Sequence, residues 1–211
     1  MAPTGSSTTL QDTMSESTPK RKKDRVGLSR FLYDLKHRRR RFRQVGGALL
    51  VIVLAFLGRP TPEMFWIGTV FATLGMLVRL WASGFVMKNE VLATSGPYGY
   101  VRHPLYVGNI LICIGFCFAC GLWWSWIVSA LFLLLFYPET IRYEDEKLHR
   151  YFGEDWERWS SRTRALIPRL RPYSEKQEGA SWSLRRSVMR NGEPLHIVVL
   201  GGLLIFLYTI L

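Results

Sequence analysis

Polar and apolar positions are sharply segregated along this chain. Residues 1–43 are polar and basic, and apolar runs follow near 45–58, 64–87, 105–121 and 122–137. A charged stretch from 139 to 195 comes next, and the sequence closes on "HIVVLGGLLIFLYTIL" at 196–211. Runs of this kind are expected to be helices that cross a bilayer. The 33 residues of 105–137 would make one helix of roughly 50 Å, against a hydrocarbon core of about 30 Å. That run must fold back, and "CGLWWS" at 120–125 is the natural place for the turn. The pattern therefore predicts an all-α, multi-pass transmembrane helical protein of about five spans. The first and last spans are short for a bilayer.

Basic residues set the expected orientation. Twelve Lys and Arg lie in 1–43, two in 88–103 and twelve in 138–195, whereas Arg59 alone falls on the other side and Arg79 lies within a span. With an odd number of crossings, the positive-inside rule puts the N-terminus and both motif-bearing regions in the cytoplasm. The formal charge of +12 is thus mostly a topology signal. "KRKKDR" and "KHRRRRFR" are read as juxtamembrane clusters that hold anionic lipid headgroups rather than nucleic acid. The first apolar run begins near residue 45, too late for a cleavable signal peptide. The expected organisation is a disordered basic tail (1–43), a membrane core (44–170), a cytoplasmic linker (171–195) and a C-terminal span (196–211).

Candidate chemistry enters with two polar constellations. Cys113, Cys117 and Cys120 recur on one helical face, but no His or carboxylate accompanies them, and they read as small buried hydrophobes rather than metal ligands. The first constellation is "NEVLATSGPYGYVRHPLYVG", 89–108. Gly96-Pro97 and Gly99 mark turns, Pro104 disfavours helical geometry at His103, and Gly108 permits close approach of a backbone or ligand. His103 is thereby held at the mouth of the next span. An interfacial anchoring loop needs some of these residues, but not this order.

The second constellation is "PETIRYEDEKLHRYFGEDWERWSSRTRALIPRL", 138–170. Pro138 can start or kink a helix that leaves the membrane. Glu144, Leu148 and Tyr151 share one face, with Glu146 and Arg150 elsewhere. Phe152, Trp156 and Trp159 form a stripe read as packing, and the acidic cluster alone is equally compatible with i,i+4 pairing to His149 and Arg150.

Together "GPYGYVRHPLYVG" and "RYEDEKLHRYFGEDW" resemble the isoprenylcysteine carboxyl methyltransferase and phospholipid methyltransferase superfamily, over roughly residues 75–170. The pattern there is Arg-His-Pro-x-Tyr-x-Gly, then Glu-Glu before Leu-x-x-x-Phe-Gly; here Asp145 replaces the second Glu. The resemblance implies S-adenosyl-L-methionine held between the Arg-His-Pro loop and a cytoplasmic helix with the acidic pair. It places cofactor contacts on Glu90, Val91, Leu92, Ala93, Tyr98, His103, Pro104, Leu105, Tyr106, Gly108, Glu144 and Asp145. Arg102 and His103 become catalytic candidates, and Arg142 a candidate for the acceptor's polar head. Arg79, a charge inside a span, is a further functional candidate.

The chemistry fits that implication. A zwitterionic amino acid carrying a sulfonium and a nucleoside needs a cation for its carboxylate and an anion for its ammonium or ribose. Arg102 with His103, and Glu144, are those two kinds of group, and no metal is required. None of the 18 glycines forms the G-x-G-x-x-G turn of a soluble nucleotide-binding fold. The expected acceptor is a lipid or lipidated carboxylate or amine entering from the bilayer. Two alternatives stand beside this reading: an NADPH-dependent sterol-reductase-like membrane enzyme, which resembles the same layout, and a non-catalytic membrane scaffold.

Overall fold

Each apolar run does form a helix. The computed structural model describes residues 45–86, 91–173, 181–190 and 193–211, so the basic tail expected at 1–43 lies outside the described residues. Among the described residues there is no strand. Helix α1 is Val45–Phe56. It is followed by α2 (Pro62–Ser83), the single turn α3 (Pro97–Tyr100), α4 (Pro104–Ala119), α5 (Trp123–Phe152), α6 (Glu154–Arg162), a π-helical turn (Arg186–Arg190) and α7 (Glu193–Thr209). Helices α2 and α5 are long and apolar enough to cross a membrane; α1, α4 and α7 are shorter apolar helices.

The break between α4 and α5 falls where the sequence places it. Gly121 adopts φ +66°, and the carbonyl of Cys120 accepts from the amide of Arg59 at 2.8 Å, which ties this turn to the α1–α2 connection. A Cβ at Gly121 would lie 2.3 Å from the Arg59 carbonyl oxygen, so only glycine fits.

Helix α5 changes solvent along its length. Its first half carries Leu131, Leu134 and Leu135 outward as exposed apolar side chains, and its second half carries "RYEDEKLHRY". At 1.5 Å per residue its 30 residues reach about 45 Å, longer than a hydrocarbon core. Pro138 lies inside this helix without ending it. Gly153 ends it instead: at φ +50° its amide caps back onto the His149 carbonyl at 2.8 Å, and α6 leaves in a new direction. The stripe of Phe152, Trp156 and Trp159 therefore spans two helices, yet all three rings pack into one cluster with Leu92 and Tyr98.

Helices α2 and α4 pack backbone to backbone. Gly68, Ala72 and Gly75 on α2 face Gly108, Ile112, Gly115 and Ala119 on α4. A Cβ at Gly68 would sit 2.4 Å from the Gly115 carbonyl oxygen, and one at Gly115 would sit 2.5 Å from the Ala72 nitrogen. Small residues allow this approach, which in lipid replaces the hydrophobic drive between helices by van der Waals contact. Leu204 and Leu207 of α7 complete the same core with Val51, Ala55, Phe65 and Phe116. The three cysteines are buried and free, and Cys117 Sγ lies 3.2 Å from Ser129 Oγ.

The stretch expected as a linker also contributes. Residues 181–190 lie against the end of α2, and the last helix begins at Glu193 rather than 196.

Candidate active site

The Arg-His-Pro loop is held by its own backbone and by the chain that follows α6. Gly96 opens α3 at φ +60°, where a Cβ would lie 2.3 Å from the Phe85 ring. Val101 is extended, and His103 caps α4 with non-helical φ −123° and ψ 65°, as Pro104 requires. Four backbone hydrogen bonds clamp the loop: Arg102 N to Arg164 O at 2.9 Å, His103 N to Ala165 O at 3.1 Å, Arg169 N to Tyr100 O at 2.9 Å and Tyr173 N to Gly99 O at 2.9 Å. From α6, Trp159 Nε1 donates to Tyr98 O at 3.1 Å. A loop so tied is a fixed platform rather than a linker.

On that platform the two constellations meet. His103 Nε2 lies 3.0 Å from Asp145 Oδ1, and His103 Nδ1 is 3.8 Å from Glu144 Oε2. Tyr106 donates its hydroxyl to Glu144 Oε1 at 2.6 Å, and its ring lies 5.2 Å from that of Tyr137. Arg102 Nη2 is 3.3 Å from Asp145 Oδ2, with its guanidinium 5.9 Å from the centre of the Trp156 ring. One carboxylate, Asp145, thus bridges Arg102 and His103, which answers what the shorter side chain does at the position where the motif carries Glu. The other, Glu144, keeps about a third of its side chain exposed (34%) while His103 is buried at 6%. Glu144 is therefore the more solvent-accessible carboxylate of the pair, at 34% against 16% for Asp145. Arg102 Nε and Trp156 Nε1 are buried with no hydrogen-bond partner, leaving donor capacity at the same place.

Burial pushes the Tyr98 phenol well above its usual range, with the carboxylates of Glu144 and then Glu193 adding to it and Arg79 opposing them.

Most of the sequence candidates converge. Leu92 and Tyr98 are buried together with Ala82 and Trp159, and Ala93 and Leu105 pack against that cluster. Pro104 begins α4 and Val91 is half-buried at the loop entry. Glu90 lies outside the described residues. Gly108 faces α2, where a Cβ would meet Arg79 Cγ at 2.6 Å, so its small size serves a helix contact. Arg142 is not brought in: its side chain is 76% exposed and pairs with Glu146 at 3.2 Å on the outer face. Two positions separate Arg142 from Glu144, about 200° around the helix, so both cannot face the loop. Arg79 is largely withdrawn from solvent and forms an ion pair with Glu193 at 2.9 Å.

Sequence reasoning read Trp156 only as packing and gave no role in this site to Tyr137 or to the 164–173 segment. No spacing rule signals a contact between a helix and a loop some 50 residues away; only the excess of aromatic residues around the motifs hinted at it.

Comparison with known proteins agrees with the geometry. Residues 63–155 match the phospholipid methyltransferase family. The chain is similar to the cobalt-zinc-cadmium resistance protein CzcN of Cupriavidus metallidurans, at 38% identity over 70% of this chain and 72% of that protein. It is similar to the protein-S-isoprenylcysteine O-methyltransferase of Schizosaccharomyces pombe, at 33% identity over 38% of this chain and 34% of the yeast enzyme. It also resembles the 7-dehydrocholesterol reductase of Danio rerio, at 35% identity over 43% of this chain but 18% of the fish protein. No solved structure matches. The chain belongs to the isoprenylcysteine carboxyl methyltransferase and phospholipid methyltransferase superfamily of membrane proteins.

Proposed function

We propose that this protein is an integral membrane methyltransferase that uses S-adenosyl-L-methionine to methylate a lipid or lipidated acceptor. The observation that carries the reading is the meeting of Arg102, His103 and Tyr106 with Glu144 and Asp145 across two elements far apart in sequence. The donor set suits the cofactor. Arg102, with its spare Nε, would hold the carboxylate, Glu144 the ammonium or ribose hydroxyls, and the apolar wall of Leu92, Ala93 and Leu105 the nucleoside. When bound, the cofactor would supply a methyl group activated by its sulfonium for transfer to a nucleophilic atom of the acceptor.

The protein's own work is alignment and exclusion of water. Asp145 fixes the orientation of His103 and Arg102, and Tyr106 fixes Glu144. Such positioning is worth at best about 7–11 kcal/mol of the barrier. An apolar groove of about 590 Å³ between α1 and α5, lined by Leu49, Val53, Phe132 and Phe136, supports a greasy acceptor. Phe136 is next to Tyr137, whose ring touches Tyr106, so a tail in the groove would bring a polar head toward Glu144. The acceptor would enter from the bilayer, and the cofactor from the cytoplasm, with the N-terminus, the 88–103 loop and the 139–195 stretch on that side.

The similarity to a sterol reductase keeps an NADPH-dependent reduction as the second reading. Titration of the purified protein with S-adenosylhomocysteine and with NADPH separates them. Binding of the first alone is expected; binding of NADPH alone would replace this reading with reduction. Mass spectrometry of membrane lipids and lipidated proteins, with and without the gene, then identifies the acceptor by its missing methyl group.

A further inference from the structure

The C-terminal segment is fastened to the last turns of α2 at four successive levels. Arg79 donates from Nε to Glu193 Oε2 at 3.1 Å and from Nη2 to Glu193 Oε1 at 2.9 Å, and its Nη1 lies 2.5 Å from Asn109 Oδ1 on α4. Ser187 Oγ reaches the Leu80 carbonyl at 3.2 Å and the Ser83 hydroxyl at 2.5 Å. Ser183 N donates to Gly84 O at 3.2 Å, and the Trp182 indole covers Gly84 so closely that a Cβ there would lie 2.2 Å from its nitrogen. Glu193 is buried and Arg79 nearly so, with side-chain exposures of 4% and 11%. A largely desolvated, bidentate ion pair that touches three helices carries a desolvation cost, and removing one partner leaves the other charge uncompensated.

The same end of α2 carries the candidate site. Ala82 in its last turn, and Phe85 and Val86 just beyond it, pack with Leu92, Ala93, Tyr98 and Leu105, the apolar wall of that site. Glu193 lies beyond residues 63–155, so nothing in the family motif points to it.

We propose that Arg79 and Glu193 are positioning residues: their ion pair clamps the C-terminal segment onto the end of α2 and thereby sets the wall formed by Leu92, Ala93 and Tyr98. The inference rests on the cofactor reading above for its consequence, weaker cofactor binding when the clamp is broken. Electrostatics agrees, because the Tyr98 phenol feels Glu193 and Arg79 on one hand and Glu144 on the other.

The test combines hydrogen exchange with S-adenosylhomocysteine titration on the full chain in detergent. Glu193→Gln keeps the shape and removes the charge. Amides of 91–101 are expected to exchange about tenfold faster, with the α2–α4 seam at 68–75 unchanged, and the affinity to fall about tenfold. A general structural defect would speed exchange in both regions. Because Glu193→Gln leaves Arg79 without its counter-ion, Ser187→Ala is the second arm, breaking another tie without orphaning a charge. It is expected to speed exchange at 91–101 about fivefold. Unchanged exchange at 91–101 in folded Ser187→Ala, or in folded Glu193→Gln, overturns the proposal. So does acceleration spread equally over the seam. If the parent protein does not bind S-adenosylhomocysteine, the cofactor reading falls, while the exchange arm still decides the clamp.

Discussion

Glu144 and Glu146 have the same chemistry and opposite settings. Glu144 takes the Tyr106 hydroxyl and faces His103; Glu146 pairs with Arg142 in solvent. If Glu144 holds the cofactor, Glu144→Ala removes a charge-assisted hydrogen bond worth roughly 1.5–3 kcal/mol, about a ten- to hundredfold weaker binding. Glu146→Ala should stay at the parent value, since an exposed i,i+4 pair contributes about 0.3–0.5 kcal/mol to stability and nothing to the site. Calorimetric titration of S-adenosylhomocysteine into both variants checks it, and equal affinities return Glu144 to a solvated face. Gly96 makes a different kind of demand. With φ +60° and the Phe85 ring 2.3 Å from where a Cβ would stand, Gly96→Ala should lower stability by at least about 1–2 kcal/mol. Thermal unfolding in detergent measures that, and an unchanged midpoint would mean the loop does not depend on this turn.

Among elements, the α2–α4 seam carries the site, because His103 caps the start of α4 and Ala82 at the end of α2 packs with Tyr98. Its glycines leave no room: a Cβ at Gly75 would lie 2.6 Å from the Gly108 carbonyl oxygen. Gly75→Val is expected to separate the helices and cost at least the roughly 1–3 kcal/mol of an overpacked core, with lost cofactor binding. Gly201 is the internal control, since nothing lies within 4 Å of its Cβ position. Gly201→Ala should leave binding intact and leave stability unchanged or raised by up to about 1 kcal/mol, through helix propensity alone. Chemical denaturation of the two variants side by side distinguishes them.

For the whole molecule, the one-sidedness of Lys and Arg makes a topological prediction. Leu170, fully exposed just after α6, should react from the cytoplasmic face when changed to Cys, and Leu211→Cys from the opposite face. The three native cysteines are buried, so background labelling should be small. Leu170→Cys labelled only from outside would overturn the orientation and, with it, the entry of the cofactor from the cytoplasm.

The sequence by itself determined the helices and the ingredients of the site. Apolar runs report burial in lipid or core through composition alone, and Gly-Pro, His-Pro and the Gly121 turn act on their immediate neighbours, so these were legible without tertiary contacts. It also named Arg102, His103, Tyr106 and Glu144 through a motif. Only the tertiary structure decided that Asp145 bridges Arg102 and His103, that Arg142 turns outward to Glu146, and that Glu193 reaches Arg79. Those outcomes depend on the rotation of α5 about its axis and on where α7 docks. Both are set by packing between helices distant in sequence, as where Gly46 and Gly47 of α1 meet Phe132 of α5 and Gly58 meets Leu207 of α7.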